Sequence, residues 1–186
     1  MLASTSGATR TNPGPAPVSE GPSAEDLTLP EHEIRDEGVR GLIAIVNKLA
    51  QLRVAVYGHF DDTFERLTTI GDADAYPACV DRFKQRFKAL DDDLERIAMR
   101  LDALKQPPIS NLVRSVVRAE RDRYSCKCDE QVLRQRFSLS EFESDERASL
   151  KSQMQAATAS LAQKAESVEE ALEELRAEAA DFEDED

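Results

Sequence analysis

The sequence predicts an all-α protein in which long antiparallel helical hairpins form an elongated four-helix bundle or coiled coil. Two observations carry that expectation. Apolar residues recur at Tyr76, Cys79/Val80, Phe83, Phe87, Leu90, Leu94, Ile97, Leu101 and Leu104, in steps of three and four. A repeat of about 3.5 residues belongs to a helix that turns one narrow seam toward a partner helix. Three further stretches carry apolar stripes at helical spacing, with Gly and Pro between them. The stripes need one another, because a lone hairpin buries too little apolar surface to offset its ordering entropy.

The elements follow in order. Residues 1–32 read as a disordered tail: Gly, Pro, Ser, Thr and Ala dominate, as in Asn12-Pro13-Gly14-Pro15-Ala16-Pro17, and large apolar residues are scarce. This tail lacks the continuous apolar run of a secretory signal. Its Ala, Ser and Thr leave organellar targeting open, on the support of a single base before residue 20, Arg10. A helical domain is expected over 33–180. Its first helix, about 34–70, has Val39, Leu42, Ile45/Val46, Leu49, Leu52, Val56, Phe60, Phe64 and Leu67 as its stripe. The four-residue steps 56, 60, 64 loosen the heptad there. At 1.5 Å per residue this helix is roughly 50 Å long.

Gly71-Asp72-Ala73-Asp74 ends it and begins a short link, so the second helix, about 75–105, returns antiparallel. Pro107-Pro108 ends that arm, and Ser110 is expected to cap a third helix over 110–137. The fourth, 144–180, recovers the rhythm with Leu150, Met154, Ala157, Leu161, Ala165, Val168, Leu172, Leu175 and Ala179. An acidic tail, 181–186, follows.

The formal charge of −13 is unevenly distributed. Residues 166–186 carry eleven acids and one base, residues 1–40 seven acids and three bases, and the body is close to neutral. A neutral body argues against a protein whose main task is gripping nucleic-acid backbone. No apolar stretch is long enough to cross a bilayer. The three cysteines have no disulfide spacing and fit a reducing compartment.

Candidate chemistry is sparse. His32 and His59 lack any nucleophile or triad motif around them. Cys126-Lys127-Cys128 is C-x-C within a helix, where residues two apart point to different faces. No CxxC pair or HxxxH completes a zinc site. Asp91-Asp92-Asp93 reads as a solvated helix face, since consecutive helical carboxylates splay around the axis and lack calcium-loop spacing. Arg114, Arg118 and Arg121 share one helix face and are the candidate contact for a partner or nucleic acid. The structural alternative, which the sequence favours, pairs these arginines with the acidic fourth helix of the same chain. Gly-rich phosphate loops and Ser nucleophile elbows are absent, so neither an enzyme nor a cofactor nor a metal is expected.

Three stretches resemble a known family, the required-for-excision 1-B domain proteins. They are Leu49-Ala50-Gln51-Leu52-Arg53 with Tyr57 and Phe64; Tyr76, Cys79, Phe83, Phe87, Ile97 and Leu101; and Leu112 to Glu120 with the Leu161–Arg176 helix behind it. The resemblance implies a non-enzymatic role in DNA excision repair. The resulting expectation is a nuclear helical adaptor, with the cytoplasm as a second location, whose partners are other proteins met through helix packing, among them repair factors. Homo-oligomers fit the same stripes; direct nucleic-acid binding and membrane association do not follow from the sequence. The competing expectation is a structural coiled-coil subunit of a cytoskeletal, ciliary or tethering complex. In both, the helix seam of Tyr76, Phe83, Phe87, Leu90, Leu94, Ile97 and Leu101 is the element that binds a helix.

Overall fold

A computed structural model describes residues 23–140 and 145–180. The elements are α1 (Ala24–Leu27), α2 (Glu31–Arg35), α3 (Val39–Ile70), α4 (Tyr76–Ala103), α5 (Pro107–Leu139) and α6 (Asp145–Ala180). Among the described residues there is no strand, so the fold is all-α.

The order of contacts shows how the helices run. Arg53 meets Asp91, Phe60 meets Phe83 and Phe64 meets Tyr76, so α3 and α4 are antiparallel. Ser110 meets Asp102 and Arg121 meets Asp91, so α5 reverses again. Arg147 meets Phe137, Cys126 meets Ser160 and Asp122 meets Lys164, which sets α6 antiparallel to α5. The C-terminal half of α6 also reaches α3, where Arg176 Nε donates to Asn47 Oδ1 at 3.2 Å.

Two turns of the same chemistry make the reversals. At the end of α3 the Asp72 N–H donates to Leu67 O and the Gly71 N–H to Thr68 O, with Gly71 at φ 73°. At the end of α4 the Gln106 N–H donates to Leu101 O and the Lys105 N–H to Asp102 O, with Lys105 at φ 61°. This is the Schellman arrangement, which satisfies the last carbonyls of a helix through one left-handed residue. Glycine adopts that conformation without penalty; lysine at 105 does so against its Cβ. After the first turn Asp72 caps a single 3-10 turn, accepting from the Ala75 N–H at 3.2 Å, and α4 begins with Pro77 in its first turn.

The core centres on the α3–α4–α5 interface, joined by Leu27 and Ile34 from α1 and α2 and by Val168, Leu172 and Leu175 from α6. All seven seam residues of α4 are buried, from Tyr76 at 7% exposed to Leu90, Ile97 and Leu101 at 0%. Opposite them lie Leu42, Val46, Leu49, Val56, Phe60 and Phe64 of α3 and Ile109, Val113, Val116 and Val117 of α5. Tilted ring pairs lock the register, with centroids 4.5 Å apart for Tyr57–Phe87, 4.9 Å for Phe60–Phe83 and 4.9 Å for Phe87–Tyr124. Each such pair adds roughly 0.5–1.5 kcal/mol beyond its buried area.

Four expectations are corrected. The residues from Ser23 to His32, expected within a disordered tail, form α1 and the start of α2, and Leu27 and Ile34 are each 4% exposed in the core. Ser23 accepts from the Asp26 N–H while Asp26 accepts from the Ser23 N–H, a reciprocal capping box that ordinary composition rules pass over. The first long helix starts at Val39, behind Asp36 to Gly38, and not at 34. Ser110 does not cap α5: Pro107 and Pro108 occupy its first turn, and Ser110 is fully buried, donating to Asp102 Oδ1. Asp91 and Asp93 are not a solvated face, at 5% and 0% exposed; only Asp92 of that run is exposed. Residues 1–22, 141–144 and 181–186, which include most of the expected N-terminal tail and the whole acidic tail, lie outside the described residues.

Candidate functional site

Charged residues occupy helix positions that the apolar stripes leave facing inward. Arg53 lies between Leu49 and Val56 on the buried face of α3 and is itself 3% exposed. Its guanidinium donates to Phe87 O at 3.3 Å and to Asp91 Oδ1, and it sits 5.5 Å from the Phe87 ring centroid. Asp91 Oδ2 accepts from Arg121 Nε at 2.8 Å, so one α4 carboxylate is held between a cation of α3 and a cation of α5. A buried carboxylate is costly unless it is paired in this way.

Glu120, next to Arg121 on α5, is 4% exposed. Tyr57 Oη donates to its Oε2 at 3.2 Å, and Arg123 Nη1 stands 3.7 Å from its Oε1. Burial pushes the Glu120 carboxyl above the ordinary glutamate value, with the Arg53 and Arg123 charges opposing. Burial, reinforced by the nearby Glu120, likewise raises the Tyr57 hydroxyl. On the far side of α4, Asp93 accepts from the Leu29 N–H at 2.8 Å and from Arg96 at 2.6 Å, and Arg96 donates onward to Leu29 O at 3.0 Å. That trio ties the α1–α2 strap to α4. Burial raises the Asp93 carboxyl, against the pull of those two hydrogen bonds.

Between α4 and α5 this network opens into a cleft of about 320 Å³. Phe87 and Tyr124 form its apolar floor, Arg53, Asp91 and Glu120 its polar wall, and Lys84, Lys88 and Arg121 its basic rim beside Asp92. The Tyr124 hydroxyl is turned away, donating to Val80 O at 3.0 Å.

The three arginines singled out from sequence have different surroundings. Arg114 pairs with Asp102 at 2.7 Å and Glu95 at 3.5 Å, and Arg121 pairs with Asp91. Arg118 is exposed and donates to Ser115 Oγ at 2.8 Å. Arg114 and Arg121 thus find their acids on α4 and not on the fourth long helix, which is a correction; within the basic stretch it is Arg136, 3.8 Å from Glu146, that meets α6. The glutamates of α6 from Glu166 to Glu178 all face outward. Further along α5 the pattern shifts toward α3, with Lys127 2.6 Å from Asp61 and Arg134 4.0 Å from Glu65. The basic stretch thus serves as an internal charge ladder binding α5 to α4 and α3.

Other candidates stay apart. Cys126 faces Ser160 of α6 at 3.6 Å, whereas Cys128 packs into the core. Burial raises the Cys128 thiol. His32 is exposed and His59 half-buried. Among the described residues no group of His, Cys, Asp and Glu is placed to hold a metal ion, and no helix is long and apolar enough to cross a membrane.

Sequence reasoning missed the burial and pairing of Arg53, Asp91 and Glu120. Their signal was positional: each is a charge standing where the helical spacing calls for an apolar residue.

Fold and network together define a helical-bundle protein in which α3, α4 and α5 are linked by a charge network centred on the buried Arg53–Asp91 pair. The chain belongs to the DNA repair REX1-B family, whose model matches residues 41–134. That match runs through α3, α4 and most of α5 and ends before α6. No curated protein and no solved structure matches the chain.

Proposed function

We propose that the protein serves DNA excision repair as a non-enzymatic helical adaptor, acting in the nucleus through contacts with other proteins. Membership of a family named for DNA repair supports the process. The observation that carries the mode is the internal charge ladder of α5. Arg114, Arg121, Lys127 and Arg134 are engaged by acids of α4 and α3. Little of the basic stretch is therefore left to neutralise phosphates, and counterion release is what drives backbone binding. The α4 seam closes on α3 and α5 of the same chain, which counts against the competing reading as a filament-like coiled-coil subunit. Contact with partners then falls to the outer surface and to the cleft between α4 and α5.

The test pairs a cellular phenotype with a partner. Disrupting the gene should lower survival after ultraviolet damage, and the tagged protein should co-purify with repair or transcription proteins. Unchanged survival, or retention of tubulin-associated proteins instead, would overturn the reading.

A further inference from the structure

The cleft between α4 and α5 is the place where the bundle's packing leaves unused chemistry. Its floor is aromatic: Phe87 and Tyr124 lie 4.9 Å apart at a tilt of 48° and leave apolar ring surface at the base of the opening. Its wall is already neutralised. Asp91 is held by Arg53 and Arg121, Glu120 by Tyr57 and Arg123, and Asp92 by Lys88 one turn away. What remains at the rim is cationic. Lys84 is exposed and makes no ion pair with a described residue. Arg121 is 58% exposed along its side chain and is engaged through Nε alone, leaving its terminal nitrogens to donate. Lys88 is 71% exposed, and a surface i,i+4 pair such as its bond to Asp92 is weak, so its charge is readily shared with an incoming group.

We propose that this cleft is a docking site for a peptide segment of a partner protein in which an aromatic side chain is flanked by Asp or Glu. The proposal rests on the adaptor reading above and names the surface and the partner chemistry. A volume of about 320 Å³ is at the small end of ligand sites and suits one large side chain rather than an extended cofactor. The inserted ring stacks against Phe87 and Tyr124 in the offset geometry that aromatic pairs favour. The flanking carboxylate meets Lys84 and the free fork of Arg121, which matches a carboxylate bidentately. A nucleic-acid strand satisfies the same site less well: Arg53, Lys88 and Arg121 of the lining already face acids, and Lys84 alone is too little charge to neutralise a run of phosphates. A single flanking carboxylate can instead bind at the cationic rim.

The experiment is fluorescence anisotropy with the full chain and a labelled peptide centred on Glu-Phe-Asp-Glu. The expected result is saturable binding, weakened about tenfold or more when the peptide's Phe becomes Ala or its acids become amides. The Lys84→Glu, Lys88→Gln double variant should bind about tenfold or more weakly with an unchanged melting temperature, because both side chains are exposed. The peptide substitutions keep the test decisive even where a protein variant is perturbed. Absence of saturable binding, equal affinity for the Ala peptide, or preference for oligothymidine would overturn the proposal. In cells, a double variant that retains every repair partner refutes the cleft and leaves the adaptor reading standing. A wild-type protein that retains none refutes the adaptor reading, while the peptide titration still judges the cleft.

Discussion

The α4 seam and the α6 stripe share one helical rhythm and pack very differently. Seven seam residues of α4 are all buried, three of them aromatic and the rest Leu or Ile. Of the nine stripe positions of α6, only Leu150, Val168, Leu172 and Leu175 are buried, and Met154, Ala157, Leu161, Ala165 and Ala179 are half-buried. Periodicity thus tells which face turns inward, while side-chain volume decides how tightly that face is held. A buried Leu or Phe gains roughly 1.5–3 kcal/mol, far more than an alanine at the same position.

The sharpest way to break the comparison is a charge in each seam. Leu94→Asp should cost on the order of 3–5 kcal/mol, because Leu94 is 3% exposed and an unpaired carboxylate there has no partner. Leu161→Asp, on half-buried α6, should cost about 1 kcal/mol, close to its helix-propensity term. Thermal and denaturant melts followed by circular dichroism measure both; similar losses would erase the distinction.

Next in size is the charge network. Arg53→Ala removes a buried partner of Asp91 and should cost about 3 kcal/mol, whereas exposed Arg118→Ala should stay within about 0.5 kcal/mol. Urea melts of the two variants separate an interior arginine from a surface one.

The smallest effect is a pH dependence. Burial raises the Glu120 pKa in the folded state, so the native protein binds that proton more tightly than the unfolded chain does. The stability this contributes is fully present below the unfolded value of 4.5 and is lost as pH rises through the raised folded value. Glu120→Gln should therefore flatten the fall in stability over the pH range just above 4.5. An unchanged pH profile of urea stability would show that Glu120 is not held in that environment.

The four long helices, their order and the inward face of α4 were readable from residue periodicity, because an apolar stripe of large side chains has only one favourable place to go; the short α1 and α2 were not. The charge network was not, since a pattern search counts apolar residues and passes over Arg53, Asp91 and Glu120 as interruptions. Asp91 stands four residues after Phe87 and three before Leu94, and Asp93 three after Leu90 and four before Ile97. Each charge lies inside the stripe and is buried only because a partner arrives from another element, which no local spacing reveals. The basic run of α5 was visible in sequence, but its partner was not. The acids of α4 and the acids of α6 are equally plausible by charge, and topology alone places α4 against Arg114 and Arg121.

Hydrogen exchange resolved along the chain tests the contrast between the two seams most directly. Amides of α4 between Phe83 and Leu101 should exchange only through global unfolding, and those of α6 between Leu150 and Ala165 through local opening, at least about tenfold faster. Equal protection across α4 and α6 would contradict the account, since it would mean that the alanine-rich stripe is held as firmly as the aromatic one.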